Sequence, residues 1–249
     1  MLEKNLVKLI RSLEQKKYRK RHNMFVAEGH KAVGDMMKRI APYKILATDE
    51  WVCPVAQTRA NIVRISEEEL SKVSFLQHPQ QVIGLFPIPE EKGTEALDPE
   101  NKLTLALDGV QDPGNLGTII RLADWFGIDD IVCSQTTADA YNPKVVQATM
   151  GSLARVNIIY TDLGALLRQY AGRVPIYGTL LDGESIYKAS LGRHGFIVMG
   201  NEGNGISEDI RTCVSEKLLI PNFGKTDTAE SLNVAIATAI TCSEFMRRQ

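Results

Sequence analysis

The segment DPGNLGTIIRLADWFG, residues 112–127, follows directly on LTLALDG, an apolar run of strand length at residues 103–109. A strand that hands over to a helix through such a turn is where open α/β folds place their ligands. The glycines suggest a dinucleotide-phosphate turn, but only Gly114 and Gly117 precede the body of the helix, and the spacing G-x-G-x-x-G is missing. The segment therefore fixes a strand–helix unit without naming its ligand. Asn115 is the predicted N-cap of that helix and Gly127 its C′ residue.

Downstream the pattern alternates. Strands are predicted at 103–108, 128–134, 155–160, 174–180, 195–199 and 217–221, and helices at 115–126, 143–153, 162–171 and 230–247. Such alternation predicts a parallel sheet with helices on both faces. Upstream, PIPEEKGTEALDPENK (87–102) has three prolines and almost nothing to bury, so it reads as a linker. Before it, helices near Leu2–Gln15 and Glu28–Ile40, a helix opened by Ser66, and strands at Tyr43–Thr48 and Gln81–Phe86 form a small α/β domain. Two domains are expected, 1–98 and 99–249.

With 44% apolar and 24% charged residues, the 249-residue chain has the balance of a globular protein with a full core. The charged N-terminus lacks the apolar segment of a secretory signal and no apolar run reaches spanning length, so a cytoplasmic location is expected. Cys53, Cys133, Cys213 and Cys242 form no C-x-x-C, and His22, His30, His78 and His194 share no ligand spacing, so neither disulfides nor a metal are expected. The net charge of −1 conceals an asymmetry: residues 1–21 carry eight basic and two acidic side chains, +6, leaving −7 elsewhere. Lys16, Lys17, Arg19, Lys20 and Arg21 are candidate contacts to nucleic-acid phosphate, with Tyr18 and Phe25 interleaved as aromatics able to stack on bases. A solvated helical face explains the same basic run without nucleic acid.

Three loop clusters follow apolar strands in the second domain. In the first, Arg121 shares a helical face with Gly117, Thr118, Asp124 and Trp125, and an Arg121–Asp124 pair would account for it structurally. The second is FIVMGNEGNGIS (196–207), where glycines admit a close ligand and Glu202 lies near the sheet's carboxyl edge. The third is LLIPNFGKTDTAESLNVAIATAI (218–240), with Ser231, Leu232 and Asn233 opening a helix rich in small residues. Without a G-x-S-x-G elbow or a partner histidine, Ser231 reads as a cap, not a nucleophile.

Together the clusters are specific. NLGTIIRLA (115–123), VMGNEGNGIS (198–207), IPNFG (220–224) and SLNVAIATA (231–239) resemble, in order and spacing, the motifs of the SpoU (TrmH) family of RNA 2′-O-ribose methyltransferases within the SPOUT superfamily. KKYRKRHNMFVAEGHKAV (16–33) resembles the start of the substrate-binding domain that often precedes the catalytic one. KTDTAE (225–230) is longer than the family's usual spacer, and Asn222 replaces a common methionine.

The resemblance implies S-adenosylmethionine as methyl donor, a C-terminal trefoil knot, which topological priors alone exclude, and a homodimer. It implies a cofactor site at Thr179, Gly200, Ile220 and Leu232 and a reactive set of Asn115, Arg121, Glu202, Ser231 and Asn233. A guanidinium with a pKa above about 12 is a poor base, which favours Arg121 as an electrostatic clamp. Ribosomal RNA is the preferred substrate because a separate basic module suits a large folded target. Transfer RNA, or a non-catalytic RNA-binding assembly factor of the same fold, is the alternative. A nucleotide-dependent oxidoreductase fails on the missing glycine fingerprint.

Overall fold

The computed structural model describes residues 2–55, 61–224 and 230–248, which divide into two compact units, 1–90 with 139–155 and 91–138 with 156–249. In the first unit the elements are α1 (Lys4–Ser12), α2 (Lys16–His22), β1 (Met24–Glu28), α3 (His30–Met37), β2 (Lys44–Ala47), β3 (Ile62–Arg64), α4 (Glu67–Val73) and β4 (Val82–Pro87). The sheet order is β1-β4-β2-β3, with β4 antiparallel to both neighbours and β2 parallel to β3. Ile10 and Leu13 pack with Val26, Leu46, Ile83 and Leu85 to form the core. Helix α4 begins with a capping box: Ser66 Oγ accepts from the Glu69 N–H and the Glu69 carboxylate from the Ser66 N–H.

The single helix expected over 2–15 is followed by a second, α2, and Glu28 ends a strand instead of starting a helix. Helix α6 (Pro143–Thr149) and the short 3₁₀ turn Ser152–Ala154 replace the continuous helix expected over 143–153, because Met150 and Gly151 turn left-handed. This segment groups with the first unit, although the alternation of strands and helices assigns it to the second.

The second unit holds β5 (Leu103–Leu107), α5 (Pro113–Phe126), β6 (Asp130–Ser134), β7 (Asn157–Thr161), α7 (Leu163–Tyr170), β8 (Ile176–Ser185), β9 (Gly195–Met199), α8 (Glu208–Arg211), β10 (Glu216–Leu219) and α9 (Val234–Arg247). All pairings are parallel, in the order β10-β8-β9-β5-β6-β7. Every residue of β5 and β9 is buried, the state of central strands covered on both faces. Leu163, Leu166, Leu167 and Ile210 pack from α7 and α8 onto Ala106, Val132, Phe196 and Val198, while α5 packs with α9. From β5 the chain runs outward to β6 and β7, then crosses to β8 on the other side, so the winding reverses between β5 and β9. The carboxyl ends of those two strands thus border the crevice where α/β folds bind ligands.

The backbones of β8 and β10 come unusually close. A Cβ built on Gly183 would stand 2.6 Å from the Leu218 carbonyl carbon, so only glycine fits there.

The chain closes with a polar clasp. Glu244 accepts from Arg247 and Arg248, and Arg248 also donates to the carbonyls of Ile186 and Ala189. The guanidinium of Arg247, with that of Arg248, holds the Glu244 carboxyl at about 2, below its ordinary 4.5. A depressed carboxylate contributes stability above its unfolded value and loses it as pH falls through the folded one. Glu244→Gln is therefore expected to melt earlier than wild type at pH 7, and the gap should close between about pH 4.5 and 2, read by thermal denaturation across that range.

Candidate active site

The turn after β5 is held from several sides. The Gly109 N–H donates to Ser134 Oγ (2.9 Å), the Gly109 carbonyl accepts from Asn201 Nδ2 (2.7 Å), and Asp108 Oδ2 accepts from the Ser207 N–H (2.7 Å). Asp112 then caps α5, its Oδ1 accepting from the Asn115 N–H at 2.8 Å, with Pro113 in the first turn. Asp112, not Asn115, is thus the N-cap, and the residue order Asp-Pro carries that signal, since proline suits the first helical position. Gly127 closes the helix in the left-handed conformation expected of it.

Relieved of capping, the Asn115 side chain links two other loops. Its Nδ2 donates to Glu202 Oε1 (3.1 Å), and its Oδ1 accepts from Asn233 Nδ2 (2.9 Å). Glu202 also accepts from the backbone N–H groups of Gln111 (3.1 Å) and Asp112 (3.0 Å). Burial pushes the Glu202 carboxyl up, but the hydrogen bonds from Asn115 and the backbone outweigh it and hold the group below the usual range. An ionised acceptor of this kind positions its neighbours and is a poor proton acceptor at neutral pH.

The loop that presents Glu202 is self-supporting. Asn201 and Gly205 exchange backbone hydrogen bonds, and Asn201 Oδ1 accepts from the Gly203 and Asn204 N–H groups at 2.9 and 3.0 Å. A Cβ on Gly200 would lie 2.2 Å from the Gly205 carbonyl carbon, which makes glycine obligatory where the loop folds back. The third loop ends at Asn233, which caps α9 by accepting from the N–H groups of Ala235 (2.9 Å) and Ile236 (3.3 Å). Ser231, expected to cap, is exposed and lies outside the helix, because the asparagine two residues later takes that role. Of the long spacer 225–230, residues 225–229 lie outside the described residues.

The glycine loop 200–205 and the third loop border a cavity of about 880 Å³. Thr179, Gly200, Ile220 and Leu232, the four expected cofactor residues, all line it, as do Glu202 and Ser231. Arg121 stands apart. It lies on the exposed stripe Gly114, Thr118, Arg121 and Trp125 of α5, makes no hydrogen bond or ion pair with the described residues, and does not pair with Asp124. Among the described residues, no three His, Cys, Asp or Glu side chains are grouped to hold a metal ion, and no helix is long and apolar enough to cross a membrane.

The basic run divides. Lys16, Lys17, Lys20 and Arg21 are exposed. Arg19 is buried, paired with Asp139 and donating to the carbonyls of Leu13 and Glu14, so its guanidinium serves the first unit's interior and is not offered to RNA. Phe25 stacks with Phe86 in the core, which removes it as a base-stacking surface.

The model of the SpoU rRNA methylase family matches residues 102–243, more than half of the chain. The chain belongs to the SpoU family. Its fold is accordingly the SPOUT fold, a parallel sheet with helices on both faces and a C-terminal trefoil knot. The MRM3-like substrate binding domain matches residues 4–84 of this SpoU protein. The 23S rRNA (guanosine(2553)-2′-O)-methyltransferase RlmP of Bacillus subtilis is 35% identical over 94% of this chain and 93% of its own. A TrmH-family protein from Porphyromonas gingivalis superposes over the whole of both chains with a TM-score of 0.89 and 40% identity. An AdoMet-bound rRNA methyltransferase from Sinorhizobium meliloti gives a TM-score of 0.86 and 31% identity, covering 100% of this chain and 96% of that one.

For this SpoU member, Glu202→Ala is expected to lower methyl transfer at least about tenfold, since the Gln111 and Asp112 N–H groups and the amides of Asn115 and Asn201 lose their shared acceptor. The groups are water-accessible, so the melting temperature should move by only a few degrees, roughly the effect of 1 kcal/mol. Radiolabel incorporation beside a melting curve separates the two.

Proposed function

We propose that the protein transfers a methyl group from S-adenosylmethionine to a ribose 2′-hydroxyl of ribosomal RNA. The observation that carries this reading is that two motif loops line one cavity, and the third is joined to both through Asn115, which hydrogen-bonds Glu202 on the cavity wall and Asn233 at the start of α9. The size of the cavity suits a nucleoside-sized ligand. The lining also suits an adenosyl group: Leu180, Met199, Ile220 and Leu232 supply apolar surface, and the glycines of the 200–205 loop expose backbone. When bound, S-adenosylmethionine supplies the methyl group as a sulfonium substituent. Family membership and the substrates named for the relatives support the choice of ribosomal RNA.

The chain's own task is to orient a neutral ribose hydroxyl and favour loss of its proton. Arg121, with no partner among the described residues, is free to fork onto an RNA phosphate and to stabilise negative charge growing on the 2′-oxygen. Glu202 and Asn233 fix Asn115 at the start of the same helix, and Ser231 on the cavity wall is within the loop that would meet the ribose. Lys16, Lys17, Lys20 and Arg21 supply a salt-sensitive attraction for RNA. The reading uses no metal.

A homodimer is part of the proposal. Trp125 on α5 is 82% exposed and Ile236 on α9 is 53% exposed, an apolar cost that association removes. Four free cysteines suit a reducing compartment, which supports a cytoplasmic location.

Ribose-methylation mapping of total RNA from cells with and without the gene tests the reading. One 2′-O-methyl mark in ribosomal RNA is expected to vanish; loss of a mark in transfer RNA, or of none, refutes the substrate or the activity. On the same RNA, Arg121→Lys should lower kcat at least about tenfold, because it keeps the charge and loses the fork. Trp125→Glu with Ile236→Glu should shift sedimentation from dimer to monomer.

A further inference from the structure

Strand β8 leaves its ladder beside the cavity. Lys217 of β10 pairs with Gly178, and the next residue, Leu218, pairs with Glu184, so Thr179 to Gly183 bulge out against a single step of the neighbouring strand. Thr179, Leu180 and Leu181 from this bulge line the cavity, and Leu181 is 75% exposed. The bulge is tied at its start by Thr179 Oγ1 donating to the Val198 carbonyl at 3.2 Å, and at its end by the close passage of Gly183 along Leu218.

Between these ties stands Asp182. Its Oδ2 accepts from Arg211 Nη2 at 2.6 Å and from Lys217 Nζ at 2.9 Å. Arg211 ends α8, and Lys217 sits at the register break itself. All three side chains are partly exposed, and ion pairs of that kind add little to global stability. Their consequence is local: one carboxylate joins the bulge to two elements beyond it.

We propose that Asp182 is a positioning residue for the methyl donor, holding the β8 bulge through Arg211 and Lys217 so that Thr179, Leu180 and Leu181 form a wall of the cofactor cavity before the cofactor arrives. The inference rests on the S-adenosylmethionine assignment above. Ordering a wall in advance removes a cost otherwise met on binding, so loss of the clamp acts on cofactor affinity more than on turnover at saturation.

Calorimetry and steady-state kinetics with S-adenosylmethionine on the full chain test this. Asp182→Asn is expected to raise Kd and KM for the cofactor by about fivefold or more, with kcat within about twofold. Asp182→Glu should restore most of the affinity. Arg211→Gln should reproduce the loss and add little to it in the double variant, as partners in one interaction do. Hydrogen exchange without cofactor reads the clamp directly: amides of residues 179–183 should exchange faster in Asp182→Asn. A Kd within about twofold of wild type, or unchanged exchange in the bulge, overturns the proposal. Failure of the wild-type chain to bind S-adenosylmethionine would instead overturn the cofactor assignment, and the exchange comparison would still decide whether the clamp exists.

Discussion

The Glu202 carboxylate receives hydrogen bonds from two consecutive backbone N–H groups and from Asn115, and Asn115 in turn receives one from Asn233. The turn after β5, the glycine loop after β9 and the start of α9 therefore share one charged acceptor and one amide. Hydrogen bonds to an ionised group are stronger than those between neutral groups, so the network depends on Glu202 remaining a carboxylate. The hydrogen bonds themselves secure that state by holding the carboxyl low. The turn that offers its N–H groups is fixed independently by Ser134, Asn201 and Asp108, so the geometry is determined from both sides.

Such a network explains why the three motifs mean little one at a time. A glutamate in a glycine turn, an asparagine near a helix start and a second asparagine near another are ordinary alone. Parallel-sheet topology brings them to one edge, because each lies on the connection that leaves the carboxyl end of its strand. Arg121 differs, being fixed by its own helix and left without a partner among the described residues.

Much of this was legible in the residues. The buried strands of the second unit announce themselves as continuous apolar runs, and Gly195–Met199 falls where the sequence places it. The four cavity-lining positions were reachable only through family resemblance, since no spacing in the chain says that Thr179 and Leu232 share a wall. Strand β1 was hidden because MFVAE is short and lies between a basic run and a helix. Asn115 and Asp112 are both good caps for α5, and only the adjacent proline singles out Asp112. Arg19 looked like its basic neighbours; its role depends on Asp139, 120 residues away, a contact that local pattern does not report.

The bulge in β8 separates two duties that a strand usually combines. Tyr177 and Gly178 on one side, and Glu184 and Ser185 on the other, keep their pairing with β10, so the sheet register is set outside the segment that faces the cavity. Between those anchors Leu180 is buried, Asp182 is held by Arg211 and Lys217, and Gly183 is pinned against Leu218, whereas Leu181 is exposed on the cavity side and sets no strand pairing. A change at Leu181 therefore alters the shape of the cavity wall while leaving the register of β8 and β10 and the core beneath it in place.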